Sequence, residues 1–218
     1  MRAYSARIVR LLIGLTLFGI GVSLNIRSDL GLSPWSVLNQ GIALIVGIRI
    51  GQAGQWCGLL FILIAALMKE PIGLGTVGNM YLVGTITDAM NASAMLPVAE
   101  TLPLKATYLA VGMLVTVLGG YCYMSAGLGA GPRDSLMVAC TKRTKRAQVG
   151  TVRMMLEGTA VLLGWALGAK VGVGTLICAF GQGPLTQIVF KLFSFNVRSV
   201  KQESLADVYR SLTGARSS

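Results

Sequence analysis

The sequence has no histidine among its 218 residues, and it has only eight carboxylate side chains. Without histidine it cannot form Ser-His or Cys-His nucleophile pairs, zinc sites of the H-E-x-x-H type, or haem ligated by histidine. The few carboxylates leave few groups for acid–base catalysis. We therefore expect a protein that is not an enzyme and that binds no metal or other cofactor.

Cysteine motifs are missing as well, because the four cysteines lie singly in apolar stretches and no C-x-x-C occurs. The four are Cys57, Cys122, Cys140 and Cys178. Isolated cysteines in such stretches are typical of small buried side chains, not of metal or redox sites.

Charge is scarce throughout the chain. Charged residues make up 12% of the sequence, whereas soluble domains carry about 25%. The chain is 54% apolar with a mean hydropathy of +0.69, and residues 11–26, 56–68, 106–131 and 173–190 are uncharged. Since a membrane-spanning helix needs about 20 apolar residues, we predict an all-α fold, a polytopic membrane helical bundle.

The net charge of +11 is concentrated beside apolar segments. Basic residues cluster before residue 11, at residues 142–146 and after residue 190. This distribution is the positive-inside pattern of membrane proteins, and it differs from the basic stripe of a nucleic-acid-binding protein. It predicts that the N-terminus, the 142–146 loop and the C-terminal tail are cytoplasmic. The expected partners are membrane lipids and no nucleic acid.

Eight apolar segments can be drawn along the chain. They lie at about residues 8–26, 34–46, 52–68, 76–90, 104–126, 132–141, 149–169 and 173–193. We interpret them as a single membrane domain with the following parts: repeat 1 at about 8–90, a linker at 91–103, repeat 2 at about 104–193 and a tail at 194–218.

Matched motifs in the same order predict that the two halves are copies of one unit. LGLSPW, which begins at Leu30, is followed 98 residues later by LGAGPR, which begins at Leu128. GLGT from Gly73 is followed by GVGT from Gly172, at an offset of 99. Internal duplication is common among transporter folds, although it is not diagnostic of them.

Both six-residue motifs indicate the start of a helix. Serine is a favourable N-cap and proline a favourable first helical residue, as in Ser33-Pro34; Gly131-Pro132 repeats the arrangement. The sixth segment has about ten helical residues, which cover roughly 15 Å, half of a ~30 Å hydrocarbon core. It is either re-entrant, giving six spans in the protein, or completed by extended backbone, giving eight.

Both alternatives place the start of a short helix at membrane depth. Its unpaired N–H groups and partial positive charge favour an anion, as in the broken helices of transporters. Arg133 and Asp134 lie inside the second short helix, and Ser33 and Trp35 lie at the start of the first. We take these four as candidate substrate-binding residues. The alternative is that the short helices serve packing alone.

A second candidate site is Glu157, near the centre of an apolar segment. A carboxylate at that depth is costly, and such residues are functional candidates. Arg153 lies four residues earlier on the same helical face, so we predict an internal ion pair between the two. A purely structural pair is the alternative.

The sequence resembles the bacterial YczE-like integral membrane proteins, which are related to the YitT group. The resemblance is carried by RLLIGLTLFGIGVSLNIRSDLGLSPW, GLGT, AGLGAGPRD, VRMMLE and GVGT, and it covers about residues 7–193. It implies a bacterial inner-membrane protein, and in some bacteria a link to making or exporting secondary metabolites. Arg133, Asp134, Arg153 and Glu157 match the family's polar positions. The family usually has a polar residue such as aspartate after the first Pro-Trp, whereas this chain has Ser36 at that position.

Two functions follow as hypotheses. The first is a small-solute transporter or permease that binds a polar or anionic solute between the repeats. The second is a non-transporting membrane accessory or scaffold protein, for example one that supports secondary-metabolite production. Its basic tail, where Leu205, Val208, Tyr209 and Leu212 follow helical spacing, would recruit a cytoplasmic partner.

Overall fold

The computed structural model describes residues 2–93, 96–143, 149–195, 202–205 and 207. These residues form helices and connecting turns without a β-strand. The helices are α1 Arg2–Arg27, α2 Pro34–Val46, α3 Ile50–Leu67, α4 (Leu74–Gly78, a π-helical turn Asn79–Val83, and Gly84–Ala92), α5 Leu102–Ser125, α6 Pro132–Arg143, α7 Val149–Ala166 and α8 Val173–Leu192. The prediction of an all-α bundle is confirmed.

Four helices are long and apolar enough to cross a membrane: Tyr4–Arg27, Ile50–Leu67, Leu102–Ser125 and Val173–Leu192. Their outward faces are apolar, with Trp56 and Phe180 about two-thirds exposed, and Trp165 of α7 is exposed to a similar extent. Small polar side chains such as Ser23 and Thr76 are fully buried. An apolar exterior around a small and polar interior is the packing expected of helices in lipid.

Helices α1 and α5 form the most extensive helix–helix contact of the bundle. A Cβ atom on Gly119 would lie 2.5 Å from the backbone nitrogen of Phe18 and 2.7 Å from the carbonyl oxygen of Gly14. A Cβ atom on Gly21 would lie 2.8 Å from the carbonyl oxygen of Gly112. Gly14 thus faces Gly119 and Gly21 faces Gly112, so the two helices run antiparallel in backbone-to-backbone contact.

The two short helices α2 and α6 have 13 and 12 residues, and each covers about 20 Å or less. Each follows a loop, which we call the first loop (residues 28–33) and the second loop (residues 126–131). Gly31 and Gly129 take φ angles of 123° and 118°, a backbone conformation that favours glycine.

Each loop is hydrogen-bonded to the start of a helix that is distant in the sequence. The Gly174 N–H, at the start of α8, donates to the Leu30 carbonyl at 2.8 Å. The Gly75 N–H, at the start of α4, donates to the Leu128 carbonyl at 2.7 Å. In both G-x-G-T motifs the threonine hydroxyl accepts from the first glycine, as in Gly73 to Thr76 at 3.1 Å. Both G-x-G-T motifs therefore form tight turns, and the two contacts have the same form.

Short helix α2 does not cross the bundle. The end of α4 contacts the end of α1, where Arg27 donates to the Asn91 carbonyl. It also contacts the start of α3, where the Gly51 and Gln52 N–H groups donate to the Asp88 carboxylate at 2.7 and 3.0 Å. The end of α1 and the start of α3 therefore lie on the same face, and α2 is re-entrant. Asp88 is thus a buried cap of α3.

The second loop lies on the opposite face, which we call the N-terminal face because α1 begins there. Arg7 donates to the carbonyl oxygens of Ala126 and Gly127 at 2.7 and 2.9 Å. Helix α7 ends near Lys170, which bonds to Asp29 on the first loop's face. Since α7 has 18 residues, about 27 Å, it begins at the N-terminal face, so α6 is re-entrant as well.

One ion cluster holds the first loop. Asp29 pairs with Lys105 and Lys170, each at 3.1 Å. The hydrogen bonds and charges of Lys170 and Lys105 lower the pKa of the Asp29 carboxyl below its ordinary value. We call these three residues the Asp29 cluster.

A different cluster holds the second loop. Arg7 also pairs with Glu203 of the tail at 2.6 Å. The Gly129 N–H donates to the Gln202 side chain at 2.9 Å, and the Glu203 N–H donates to the Gly127 carbonyl at 2.9 Å. We call Arg7, Gln202 and Glu203 the Arg7 cluster. Most of the helix predicted in the tail, including Val208, Tyr209 and Leu212, lies outside the described residues.

The α1–α5 contact predicts that alanine substitutions at two adjacent glycines, Gly119 and Gly120, have different effects on stability. Gly119→Ala forces the two backbones apart and lowers stability by about 1–3 kcal/mol. Gly120→Ala leaves stability unchanged or slightly higher, because a Cβ atom at Gly120 meets nothing within 4 Å. The apparent melting temperature in detergent measures both, and equal values for the two variants would contradict the packing described.

The Asp29 cluster predicts a pH dependence. Because its folded pKa is depressed, the carboxylate stabilises the fold above its ordinary pKa of 3.8, and that contribution is lost as the pH falls through the lower folded value. Asp29→Asn should lower the melting temperature slightly at pH 7, since the cluster is partly exposed. The variant and the parent should converge as the pH falls below 3.8. Glu100→Gln, at an exposed position of the linker, is the control.

Candidate functional site

The starts of α2 and α6 meet at one internal cavity of about 210 Å³. The first loop reaches it from one face of the bundle and the second loop from the other. All six residues taken from the sequence as candidates line this cavity: Ser33, Trp35, Arg133, Asp134, Arg153 and Glu157.

Arg133 and Trp35 connect the two short helices. The Arg133 guanidinium carbon lies 5.4 Å from the centre of the Trp35 ring, within the range of a cation–π contact. Trp35 in turn meets Phe61 of α3 edge-to-face, with ring centres 5.2 Å apart. Among the described residues, no carboxylate lies within ion-pair distance of the Arg133 guanidinium. A cation of the cavity thus lies against an aromatic ring.

The helix starts also leave backbone donors at the cavity. Val37 and Ser135 donate to the carbonyl oxygens of the capping residues, at 2.9 Å in each case. The N–H groups of the preceding residues have no acceptor among the described residues; they belong to Trp35, Ser36, Arg133 and Asp134. Ser33 occupies the N-cap position of α2 without a capping hydrogen bond, because its hydroxyl pairs with the Ser36 hydroxyl at 2.9 Å.

Asp134 is held by a residue that the sequence did not single out. The hydroxyl of Tyr123, which is 3% exposed, donates to Asp134 Oδ2 at 2.8 Å. A Cβ atom on Gly131 would lie 3.1 Å from the same hydroxyl and 3.3 Å from the carboxylate. Gly131 therefore leaves room for this bond at the start of α6.

The ion pair predicted on α7 is present. Arg153 Nε lies 2.8 Å from Glu157 Oε1, and the Glu157 side chain is the less exposed of the two, at 19% against 48%. The pair forms one wall of the cavity. Glu157 is thus compensated by its own helix, whereas Arg133 is not.

Further polar side chains line the cavity from the long helices. Asn25 of α1 is 4% exposed, and its Oδ1 atom has no hydrogen-bond partner. Asn79 lies in the π-helical turn of α4, and Gln182 and Thr186 lie on α8. Asn79 and Gln182 are polar residues within apolar helical segments. The sequence did not single out Asn25 and Tyr123, although these two positions are 98 residues apart like the loop motifs.

The charged groups of the cavity all come from the second part of the chain. The positions 98 or 99 residues before Asp134, Arg153 and Glu157 are Ser36, Gly54 and Gly58, and all three also line the cavity. The charged side chains of the cavity therefore come from α6 and α7, and the matching positions on α2 and α3 hold small residues. Among the described residues, no group of three or more cysteine, histidine or carboxylate side chains could hold a metal ion.

Comparison with known proteins finds relatives that match this chain over most of their length, and their names state no activity. The chain is 33% identical over 184 residues to an uncharacterized protein of Haemophilus influenzae, covering 84% of this chain and 83% of that protein. It is 34% identical over 172 residues to the uncharacterized membrane protein YczE of Bacillus subtilis, covering 78% and 79%. A third relative, the uncharacterized protein YyaS of Bacillus subtilis, is 24% identical over 183 residues, covering 81% and 88%.

No solved structure matches the chain significantly. The model of a family of unknown function, DUF6198, matches residues 5–191, a range that contains all eight helices except the ends of α1 and α8. The resemblance to the YczE-like proteins is confirmed. The chain is a membrane protein, and it belongs to the DUF6198 family.

Proposed function

We propose that the protein is a small-solute transporter that binds a polar or anionic solute between two inverted repeats, and that it is a carrier and not an enzyme. The observation that carries the proposal is the meeting of two half-length helix starts, one from each face, at a cavity with unpaired donors. In known transporters, broken helices of this kind hold substrate near the bilayer midplane.

The contacts between the halves support inverted repeats. Helices α1 and α5 begin equivalent segments and run antiparallel. The Leu30–Gly174 and Leu128–Gly75 hydrogen bonds join matching positions of the two halves, because Leu128 follows Leu30 by 98 residues and Gly174 follows Gly75 by 99. Helix α2 of the first half packs on α7 of the second half, and α6 of the second half packs on α3 of the first. Each of these contacts is therefore matched by the other when the two halves are interchanged. A solute in the cavity would then be reached from either face by movement of the loop on that face.

The two ion clusters support a two-gate arrangement. The Asp29 cluster fixes the first loop and the Arg7 cluster fixes the second, on opposite faces. In this proposal a cycle releases one loop at a time, so that the cavity opens to a single face. The Arg153–Glu157 pair then couples a proton or stabilises the closed state.

The alternative is a non-transporting accessory protein that supports secondary-metabolite production through its tail. Deleting the tail would not separate the two functions, because Gln202 and Glu203 are bound to the second loop and the deletion would disturb α6. Substitutions inside the cavity separate them better, since an accessory role does not require Arg133 or Glu157.

We place the protein in the bacterial inner membrane with both termini in the cytoplasm, as the basic clusters predict. The N-terminal face, with Arg7, is then the cytoplasmic one, and the Asp29 cluster faces outward. This orientation gives six crossings and two re-entrant helices.

Labelling of an engineered cysteine at Glu70 tests this topology. Glu70 follows the end of α3, so six crossings place it in the cytoplasm and eight crossings place it outside. In a background without the four native cysteines, a membrane-impermeant maleimide should label position 70 only after the cells are opened. A cysteine at Glu100, on the other face, should be labelled in intact cells, and the reverse pattern would contradict the topology.

Substitution of Glu157 tests the transport role. Glu157→Gln removes the charge that pairs with Arg153, and it should reduce solute flux in proteoliposomes by about tenfold or more. The amount of protein in the membrane should stay the same. Glu100→Gln, outside the cavity, should keep full flux. Unchanged flux in Glu157→Gln would remove Glu157 from the coupling mechanism.

A further inference from the structure

We infer that the cavity selects a small organic anion with a single carboxylate, which the Arg133 guanidinium binds at its edge. The inference rests on the proposed transport function and specifies the class of solute. It depends on three features of the cavity: the unpaired cation, the balance of charge and the nature of the walls.

The unpaired cation is the first feature. The Arg133 guanidinium carbon lies over the Trp35 ring, and no described residue accepts a hydrogen bond from the N–H groups of this guanidinium. A guanidinium edge matches a carboxylate with two parallel hydrogen bonds. The unpaired N–H groups at the starts of α2 and α6 provide further donors for the same carboxylate oxygens.

The charge balance is the second feature. Arg133 and Arg153 offset Asp134 and Glu157, so the four charged side chains of the cavity sum to zero. The starts of α2 and α6 each add about half a positive charge. The empty cavity therefore carries roughly one positive charge, and one negative charge neutralises it. A dianion would leave an excess negative charge beside Asp134 and Glu157, which is costly at membrane depth.

The walls are the third feature. Phe18, Val22, Phe61 and Met137 line the cavity with apolar surface, which favours a solute with a short hydrocarbon body over a bare inorganic ion. The volume of about 210 Å³ is below the roughly 300–1,000 Å³ of pockets for drug-sized ligands. The volume thus favours a solute smaller than a nucleotide or a peptide. Asn25, Asn79 and Gln182 offer amide groups for a polar substituent.

Tryptophan fluorescence can measure this selectivity directly. The other two tryptophans, Trp56 and Trp165, are exposed on the outside of the bundle, so a Trp56→Phe/Trp165→Phe background leaves Trp35 as the reporter. Purified full-length protein in lipid nanodiscs is titrated at pH 7 with butyrate, lactate, chloride, succinate, sulfate and tetramethylammonium. Butyrate and lactate should change the Trp35 emission at lower concentration than chloride, succinate or sulfate.

Variants of Arg133 identify the group that binds. Arg133→Gln should weaken butyrate binding by about 10- to 100-fold, the effect of losing hydrogen bonds to a charged group. Arg133→Lys keeps the charge but loses the planar edge, and it should also weaken binding. Arg143→Gln, an exposed position at the end of the same helix, should leave binding unchanged. Equal melting temperatures of the variants without ligand exclude misfolding as the cause.

Uptake into proteoliposomes distinguishes failure of this inference from failure of the proposed function. If succinate, sulfate or tetramethylammonium binds and is transported better than the monocarboxylates, the solute class is wrong and the transport function stands. If butyrate binds equally well in Arg133→Gln, the assigned residue is wrong. If none of these probes binds or is transported, both the class and the carrier function are contradicted.

Discussion

The structure depends on satisfying irregular backbone inside an apolar bundle. A chain that turns within a membrane must pair its N–H and C=O groups with protein or with a wet cavity, because lipid offers no partner. Here the carbonyl oxygens of Leu30 and Leu128 are paired with the starts of two distant helices. Both contacts require glycine at the start of the distant helix, because a side chain at Gly73 or Gly172 would collide with the backbone of the loop.

The interior of the bundle follows from that constraint. With the loops fixed, the helices α2 and α6 begin at the cavity with their first N–H groups unpaired, and Arg133 and Trp35 contact each other across it. The positions 98 or 99 residues before Asp134, Arg153 and Glu157 hold Ser36, Gly54 and Gly58. The cavity therefore has charged side chains from α6 and α7 and small residues from α2 and α3.

Much of the fold could be predicted because its signals are local. The eight apolar segments predicted the helices α1 to α8 to within a few residues, apart from the start of α1, which lies earlier than expected. Helix α2, Pro34–Val46, has the predicted bounds. The Arg153–Glu157 pair was predictable because its spacing is that of one helical turn. The six candidate residues line one cavity since the short helices that carry four of them meet there.

The remaining features depend on contacts between distant parts of the chain. Nothing local indicates that Tyr123 bonds to Asp134, that Asp88 caps α3, or that Arg7 pairs with Glu203, 196 positions away. The choice between six and eight crossings was equally undetermined, because the length of a short helix does not say on which face the chain returns.

The two ion clusters also differ in the time at which they can form during synthesis. Asp29, Lys105 and Lys170 are all translated before α8, so the Asp29 cluster can form while synthesis continues. Gln202 and Glu203 follow every helix of the bundle. The second loop therefore acquires these two ligands only after every helix of the bundle has been translated, and a chain truncated before residue 202 would insert with that loop unsecured.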